Sequence, residues 1–470
     1  DYSYEYGRGV SRFEEAKVKN PKKDLGPHIY LYADRCIMCT RCVRFTREVS
    51  GTAELLVQGR GNKNEIDIFP GKALANELSG NVVDLCPVGA LLDKDFLFTQ
   101  RVWFLKETPS IDGITASGDN IRIDHNDGKV YRVKPRTNMA ANKWWISDEV
   151  RYGWKHVHSE DRLTAPRRKQ HGVQIESDWN RAYNEAAAGI RKAIAAGGAV
   201  GGRLAAIISP MLSCEDAFAL AKLALSIDPR AILALGPVPT SGTDRTFPAD
   251  KPDGFKIFAE KAPNARGVQR VLEAVAKASN GASVIKFDDA VNQLRSGSAS
   301  AAIITGNYPS DWTTDGLLAA MSGSNNKKPF AVLLDTLSSR LADAADIVLP
   351  SCTWMEKSGS FVSAREMTQA FEQAIPPVGL SKSESQIALD LAAVFAGKVV
   401  PIGTRTISID PEMDGQVPQA VEVAAPLANL FNAADARREM AGIAGLEAFA
   451  NVAIPTVTVE HEPDMEVVEL

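Results

Sequence analysis

Four cysteines constrain this chain more than any other feature of its sequence. Cys36, Cys39 and Cys42 are separated by two residues each, and Cys86 follows much later, directly before Pro87. Three thiols at this spacing and a remote Cys-Pro are typical of a cubic iron–sulfur cluster, because one tight loop can direct three thiolates to three corners. A structural zinc site is the alternative, although zinc usually takes paired Cys-x-x-Cys units or Cys/His pairs. The spacing predicts one four-iron cluster bound by these four cysteines.

Length and charge narrow the class of protein. A chain of 470 residues has material for about three domains. The net charge of -5 gives no reason to expect nucleic acid or an anionic membrane as a partner. The most apolar stretch, residues 186–209, is interrupted by charges and glycines, so no membrane span is expected. Residues 1–24 are too polar for a signal peptide. Because the chain starts at Asp1 within a tyrosine-rich stretch, we expect that it has lost, or never had, an N-terminal portion.

The chain has six cysteines, and two of them stand outside the cluster pattern. So few thiols argue against a disulfide framework and for a reducing compartment. Cys214 follows Ser213 at the predicted start of a helix over residues 215–226, where a helix dipole could activate a thiol. A small half-buried side chain is the simpler expectation for Cys214. Cys352 has no predicted role.

The N-terminal third divides into an arm and a compact unit. Residues 1–30 are predicted to form an extended arm and residues 31–107 a ferredoxin-like cluster domain. Within that domain we predict helices over residues 40–49 and 74–85, and short strands over residues 54–58 and 66–69. A second cluster would need ligands ten, seven and four residues before Cys86 and one four residues after Cys42. Those positions hold no cysteine, so one cluster is expected; they are Asn76, Ser79, Val82 and Thr46.

The remaining chain changes character twice. Residues 108–165 are predicted to form a small β-rich domain around a hairpin over residues 120–134. Residues 166–400 alternate apolar strands with helices, which indicates parallel α/β layers, and residues 401–470 form a tail of partial order. The helices are predicted over residues 179–195 and 215–226, a long loop over residues 236–267, and the strands over residues 204–208, 231–235, 301–305, 330–334 and 346–349.

Three further patterns are weak signals of chemistry. The glycines of residues 197–202 precede a strand instead of linking a strand to a helix, so we predict a turn and no dinucleotide site. The six histidines have no metal-ligand spacing, and the close pair His156 and His158 is predicted to pack or to face solvent. The basic run of residues 167–169 is predicted to be a solvated corner.

Basic and apolar side chains surround the cysteine motif. Positive charge beside a negatively charged cluster would raise its reduction potential, whereas the alternative is ordinary surface salt bridging to Asp34 and Glu48. The sequence leaves both interpretations open for Arg35, Arg41, Arg44 and Arg47. An apolar shell that limits solvent access is predicted from Ile37, Val43, Phe45, Leu85 and Val88.

Longer motifs resemble a known family. The segments over residues 36–45, 84–91 and 101–110 resemble the large iron–sulfur subunit of respiratory complex I, most specifically up to about residue 165. The resemblance implies an α+β ferredoxin-like 4Fe-4S domain, then a small β-rich domain and an α/β region similar to molybdopterin oxidoreductases. Members begin with a binuclear cluster and a His/Cys-ligated tetranuclear cluster, which would lie only in an N-terminal part missing from this sequence.

The chain departs from its relatives at a further cluster site, and its α/β region is shorter than that of a complete molybdopterin enzyme. Molybdopterin enzymes and some relatives carry another cluster with the spacing Cys-x2-Cys-x3-Cys-x27-Cys, and none of these positions is a cysteine here: they are Asp112, Thr115, Asp119 and Ser147. No cluster is expected there. Residues 344–350 and 356–361 are most similar to the molybdopterin-oxidoreductase fold. About 300 residues is short for a complete enzyme of that kind, so no molybdopterin is expected.

The resemblance implies an electron-transfer subunit of NADH:quinone oxidoreductase without catalytic residues. Its implied partners are the flavin- and NADH-binding subunit, the ferredoxin-like two-cluster subunit and the quinone-site subunits. The implied location is a peripheral arm on the cytoplasmic face of a bacterial inner membrane, or on the matrix side of a mitochondrial one. The alternatives are an electron-transfer or molybdopterin subunit of a formate dehydrogenase or NAD-reducing hydrogenase, and a non-redox zinc scaffold.

Overall fold

The computed structural model describes most of the chain, in two compact units. Its ranges are residues 2–14, 19–196, 202–279, 282–323, 328–398, 405–407, 421–423 and 428–455. The first unit is Asp1–Phe98 and the second is Thr99–Leu470. Within the described ranges, no helix is both long enough and apolar enough to cross a bilayer. The predicted turn over residues 197–202 lies outside these ranges except for Gly202.

The first unit builds two small antiparallel sheets around an apolar centre. Its elements are α1 (Tyr2–Glu5), β1 (Lys22–Asp24), β2 (Ile29–Tyr32), α2 (Arg41–Glu48), β3 (Leu55–Gln58), β4 (Glu65–Ile68), α3 (Asn81–Leu85) and β5 (Leu91–Asp93). The strand order is β1-β2-β5 in one sheet, and β3 pairs with β4 in the other. Fully or nearly fully buried side chains from both sheets and from α2, including Leu31, Phe45 and Ile66, form its centre. This centre fixes the elements that flank the cysteines.

Part of the prediction for this unit is confirmed: the helix predicted over residues 40–49 is observed as α2, and the two strands as β3 and β4. The extended arm predicted over residues 1–30 is only partly correct, since Tyr2–Glu5 is helical and β1 and the start of β2 belong to the sheet with β5. The helix predicted over residues 74–85 is wrong, since only Asn81–Leu85 is helical. The Asn76 side chain accepts instead from Leu78 N at 2.9 Å. This local bond gives the backbone an alternative to helix.

The second unit begins with a three-stranded antiparallel sheet. Its elements are β6 (Lys106–Ile111), β7 (Asn120–Asn126), β8 (Lys129–Pro135) and α4 (Asp148–Tyr152). The β7–β8 connection is the predicted hairpin, and both turn residues, Asp127 and Gly128, have positive φ (47° and 72°). That geometry is typical of a tight turn whose twist matches its strands.

An eight-stranded sheet occupies the middle of the second unit, in the order β10-β9-β18-β17-β16-β11-β12-β15. Five pairings from β18 to β15 are parallel, while β9 and β10 are antiparallel. The remaining elements of this unit are β9 (Arg167–Gln170), β10 (Val173–Glu176), α5 (Trp179–Ala195), β11 (Arg203–Ile208), α6 (Cys214–Ile227), β12 (Ile232–Leu235), β13 (Arg245–Phe247), β14 (Phe255–Ile257), α7 (Ala265–Ala278), β15 (Ser283–Ile285), α8 (Phe287–Ser296), β16 (Ala299–Thr305), α9 (Asp315–Ser322), β17 (Phe330–Asp335), α10 (Arg340–Ala344), β18 (Ile347–Pro350), β19 (Gly359–Val362), β20 (Thr368–Phe371), α11 (Glu384–Phe395), β21 (Arg405–Ile407), β22 (Val421–Val423) and α12 (Ala433–Ala441).

Both faces of this sheet are covered by helices. Along β11, Leu204, Ala206 and Ile208 pack in a core with α5, α6, α7 and α11. The intervening Ala205 and Ile207 pack in a second core with α8, α9 and α10. Burial on both faces explains why these strands are continuous apolar runs, as expected for parallel sheets. The prediction of parallel α/β layers is confirmed for this part of the chain.

Two local predictions in the second unit are wrong. Residues 167–169 are not a solvated corner but lie in β9, where Lys169 Nζ donates to Asp343 O at 2.6 Å. The loop predicted over residues 236–267 contains the β13–β14 hairpin and the first turn of α7. Strands of three or four residues with few buried side chains are too short to show a clear alternation of apolar and polar residues.

Candidate iron–sulfur site

All four predicted ligands line one small pocket in the first unit. Cys36 and Cys39 are half-buried in the loop before α2, Cys42 is buried in its first turn, and half-buried Cys86 follows α3. The other walls are Leu31, Ile37, Thr40, Arg41, Ile66, Val88, Ala90 and Leu91. The fold therefore brings together thiols that are 44 residues apart in sequence, between Cys42 and Cys86.

The loop is shaped by two residues in left-handed backbone conformation. Met38 has φ 55° and Thr40 has φ 60°, which few residues other than glycine adopt. The first turn lets Met38 N donate to Cys36 Sγ at 3.4 Å. The second makes Thr40 the N-cap of α2, with its carbonyl accepting from Arg44 N at 2.9 Å. These reversals turn the three cysteines of the loop toward the same pocket.

Cys86 reaches the pocket because α3 stops there. Its backbone is extended (φ -71°, ψ 115°), as expected for a residue before proline. Cys86 N still donates to Val82 O at 3.1 Å, and its thiol donates to Val88 O at 2.8 Å. Pro87 thus fixes the helix end that positions this fourth thiol.

Four thiols that line one pocket fit the donor set of a cubic iron–sulfur cluster, in which each thiolate binds a separate iron. Burial raises the pKa of the Cys42 thiol to about 11, and its charge is further disfavoured by Cys36, Cys86 and Cys39. Burial thus disfavours the free thiolate form of Cys42, which bonding to iron would stabilise. Tetrahedral zinc would need its sulfurs about 3.8 Å apart, given Zn–S bonds of about 2.3 Å. A cubic cluster binds each thiolate at a separate iron, so its ligands stand farther apart.

Two interpretations were open for the arginines near the cysteines: a charge effect on the cluster, or ordinary surface salt bridging. Each interpretation fits some of these arginines. Arg47 pairs with Glu48 at 2.8 Å on the exposed surface, as in ordinary salt bridging. Arg35 Nη1 donates to Gly89 O at 3.2 Å, three residues after Cys86. Arg41 lines the cysteine pocket and is exposed. A charge effect on a bound cluster is therefore best supported for Arg41.

The predicted apolar shell is only partly correct. Val88 lines the pocket and Phe45 is buried behind it. Ile37 also lines the pocket, but 61% of its surface is exposed, so it does not exclude solvent. Sequence reasoning missed four apolar wall residues that come from β2, from β4 and from the segment entering β5: Leu31, Ile66, Ala90 and Leu91. Only the tertiary pairing of these segments brings them to the cysteines.

The four positions where related enzymes hold a further cluster form a buried polar cluster in this chain. Asp112, Thr115, Asp119 and Ser147 are each at most 3% exposed. Asp112 accepts from Ile114 N at 2.8 Å and from the Thr115 hydroxyl, and Ser147 caps α4 by accepting from Val150 N at 3.3 Å. Asp119 is different: neither carboxylate oxygen has a hydrogen-bond partner within the described structure, and Arg365 Nη1 lies 3.9 Å away.

This cluster predicts a stability that depends on pH. Burial and the nearby Asp112 raise the pKa of Asp119 well above its usual range, and burial raises the pKa of Asp112 to about 6. The unfolded carboxyls titrate near pH 3.9, so the folded state loses stability as the pH rises from about 4 through these raised values. We expect Asp119→Asn to stabilise the protein at pH 8 by about 1–3 kcal/mol, since asparagine cannot ionise. Wild type and variant should converge at pH 4 in urea unfolding experiments.

Asp253→Asn, at a carboxylate that is 87% exposed, is the matched control. Equal pH profiles of unfolding free energy for all three proteins would contradict this account.

The two lone thiols are buried, and the pair His156 and His158 makes packing and backbone contacts. Cys214 is fully buried, not half-buried as predicted, and its thiol lies 3.4 Å from Asn264 Oδ1. Burial raises the pKa values of Cys214 and Cys352 and so disfavours their thiolate forms. His156 stacks on Trp354 with ring centroids 5.6 Å apart, and His158 Nε2 accepts from Val130 N at 3.0 Å. His156 is half-buried and His158 is exposed, in agreement with the prediction that this pair packs or faces solvent.

Three family models match the chain. Residues 26–92 match the ferredoxin-like domain of NADH-quinone oxidoreductase subunit 3. Residues 105–155, which contain no cysteine, match the NADH-ubiquinone oxidoreductase NDSU1/NuoG-like 4Fe-4S domain. Residues 254–394 match the molybdopterin oxidoreductase model. The cysteine pocket thus lies within the residues that match the ferredoxin-like model. The site of Asp112, Thr115, Asp119 and Ser147 lies within the residues that match the NDSU1/NuoG-like model.

Curated relatives match part of the chain. The NADH-ubiquinone oxidoreductase 75 kDa subunit of Reclinomonas americana is 43% identical over 184 residues, 39% of this chain and 26% of the relative. The mitochondrial 78 kDa subunit of Neurospora crassa is 42% identical over 189 residues, 40% of this chain and 25% of the relative. An NADH-quinone oxidoreductase subunit from Rickettsia felis is 36% identical over 223 residues, 47% of this chain and 32% of the relative. The aligned part spans about a quarter to a third of these relatives.

Likeness to solved structures is weaker. The acetylene hydratase of Pelobacter acetylenicus shares 10% identity over 62% of this chain and 69% of that chain, with a TM-score of 0.36. An NAD+-reducing [NiFe]-hydrogenase shares 26% identity over 21% of this chain and 44% of that chain, with a TM-score of 0.18. These scores are too low to carry an argument about fold.

Proposed function

From the confirmed resemblance of this chain to the large iron–sulfur subunit of complex I, we propose that it is an electron-transfer subunit of NADH:quinone oxidoreductase. It relays electrons from the NADH and flavin end of the complex toward the quinone site. Its cofactor is a single [4Fe-4S] cluster held by Cys36, Cys39, Cys42 and Cys86. The observation that carries this proposal is the convergence of these four thiols on one pocket within the ferredoxin-like match.

The cluster, when bound, takes up and releases one electron at a time. The protein supports this exchange by holding the four sulfurs in place and by stabilising the negative charge on them. The Met38 amide that donates to Cys36 Sγ stabilises negative charge on that sulfur, and Arg41 adds a positive charge at the pocket. No substrate bond is made or broken, so the proposal assigns no acid, base or nucleophile to the chain.

The second unit acts, in this proposal, as a scaffold without a metal centre. The site inherited in residues 105–155 has two carboxylates and two hydroxyls where thiolates would be needed. In open α/β sheets, ligands bind where the strand order reverses, which here is between β11 and β16. That crevice is filled: Tyr308 is 3% exposed, stacks on Trp312 at 4.9 Å and donates to Pro237 O at 2.7 Å, and Met211 packs beside it. This packing supports the absence of molybdopterin.

The domain boundaries, partners and location remain part of the same proposal. We assign residues 31–107 to the ferredoxin-like domain, residues 108–165 to the small β-rich domain and residues 166–400 to the molybdopterin-oxidoreductase-like region. The flanking segments are the arm of residues 1–30 and the tail of residues 401–470. The partners are the flavin, two-cluster and quinone-site subunits of a peripheral arm, on the cytoplasmic or matrix side of the membrane.

Elemental analysis and low-temperature EPR test the proposal. The protein purified without oxygen should contain about four iron atoms and four sulfides per chain, and no molybdenum or tungsten. After reduction it should show one tetranuclear EPR signal. Stoichiometric molybdenum or tungsten would instead support a molybdopterin enzyme such as a formate dehydrogenase, and zinc without an EPR signal would support the scaffold alternative.

A further inference from the structure

One edge of the cysteine pocket is open and positively charged. Arg41 and Ile37 both line the pocket, and both are exposed. Cys42, Phe45 and Thr46 form the buried face of α2. The opposite face carries arginines spaced three residues apart, all of them exposed: Arg41, Arg44 and Arg47. An exposed apolar side chain therefore stands beside a basic helix face at the pocket edge.

This positive charge is local, and its four arginines outnumber the two neighbouring acids, Asp34 and Glu48. The whole chain has a net charge of -5, yet residues 35–47 contain four arginines and no acidic residue. Glu48 neutralises Arg47 at 2.8 Å. On the neighbouring β4, Glu65 and Asp67 are paired with Lys23 at 2.8 and 2.5 Å. Arg41 and Arg44 thus supply the charge of this edge.

We infer that this basic edge, formed by Ile37, Arg41 and Arg44, is the contact through which the pocket exchanges electrons with an acidic protein surface. The inference rests on the proposed function. The occupant is a redox partner with carboxylates around an apolar centre, because opposite charge accelerates encounter and fixes orientation. Ile37 supplies the apolar contact closest to Cys36 in the chain, so docking there shortens the path to the cluster ligands.

Two forms of one redox protein make a matched probe. Native cytochrome c has a basic surface, whereas the form with succinylated lysines is acidic and keeps the same haem. In the reaction, the reduced cluster loses one electron and the ferric haem gains it. Binding of both forms to the oxidised protein is measured by calorimetry at low ionic strength, followed by the rate of cluster oxidation in stopped flow.

We expect the acidic form to bind more tightly and to react faster, and salt to remove the difference. The double variant Arg41→Gln/Arg44→Gln should weaken binding of the acidic form by about tenfold and reduce its rate advantage by a similar factor. The ratio of the two rates cancels any change in cluster potential, since both forms meet the same cluster. Arg60→Gln, at an exposed arginine in the turn after β3, should leave binding and rates unchanged.

The EPR signal separates failure of this inference from failure of the proposed function. A protein without the tetranuclear signal refutes the proposed function, and the inference falls with it. A protein that has the signal but binds both cytochrome forms equally refutes the inference alone. The inference is also overturned if Arg60→Gln weakens binding as much as the double variant.

Discussion

Replacing Cys39 by alanine is expected to abolish the tetranuclear EPR signal and to reduce the bound iron to well below four atoms per chain. Cys39 lies between the two left-handed residues of the loop, and among the described residues no thiol beyond the four ligands lines the pocket to take its place. Three thiolates leave one iron of a cubic cluster open to solvent and oxidation. The measurement is iron and sulfide analysis together with EPR of the anaerobically reduced protein.

Cys214→Ala is the matched control for this loss. Cys214 is a fully buried thiol of the second unit that does not line the pocket, so its removal should leave iron content and EPR signal unchanged. If Cys39→Ala retained a full signal with four irons, the proposed ligand set would be wrong. Loss of the signal in Cys214→Ala would show that the assay reports general misfolding.

Arg162→Met is expected to cost about 3–5 kcal/mol of stability, because it leaves a buried carboxylate without its charge partner. Arg162 Nη2 donates to Glu356 at 3.1 and 2.8 Å, and the two side chains are 2% and 0% exposed. Its Nη1 also donates to Val157 O at 2.7 Å. The pair thus joins the chain after α4 to the segment after β18.

Urea unfolding followed by tryptophan fluorescence measures this loss, since Trp154 and Trp354 are buried in the adjoining core. Arg438→Met is the control, because Arg438 pairs with Asp435 on the surface, where the side chains are 76% and 63% exposed. Exposed pairs contribute at most about 1 kcal/mol. Equal effects of the two substitutions would show that burial of the Arg162–Glu356 pair does not matter for stability.

Local sequence patterns predicted much of the fold because their physical causes are local. The helix predicted over residues 179–195 is observed as α5, with Asp178 as its cap. The hairpin of residues 120–134 is observed because Asp127 and Gly128 accept positive φ. The helix predicted over residues 74–85 failed where the Asn76 side chain accepts from Leu78 N, a local bond that competes with helix. Apolar periodicity alone does not register such a competitor.

The sequence by itself determined which side chains can hold a cluster, because thiolates at this spacing have few other uses. It also determined that the further cluster site of related enzymes has no thiolates here, since its four positions hold Asp112, Thr115, Asp119 and Ser147. Only the tertiary structure decided that Cys86 joins the loop cysteines, that β2, β4 and the segment entering β5 wall the pocket, and that Arg41 stands at its open edge. It also left Asp119 buried without a hydrogen bond within the described residues. The physical reason is that ligand identity belongs to single residues, whereas burial, charge environment and solvent access depend on segments far apart in the chain.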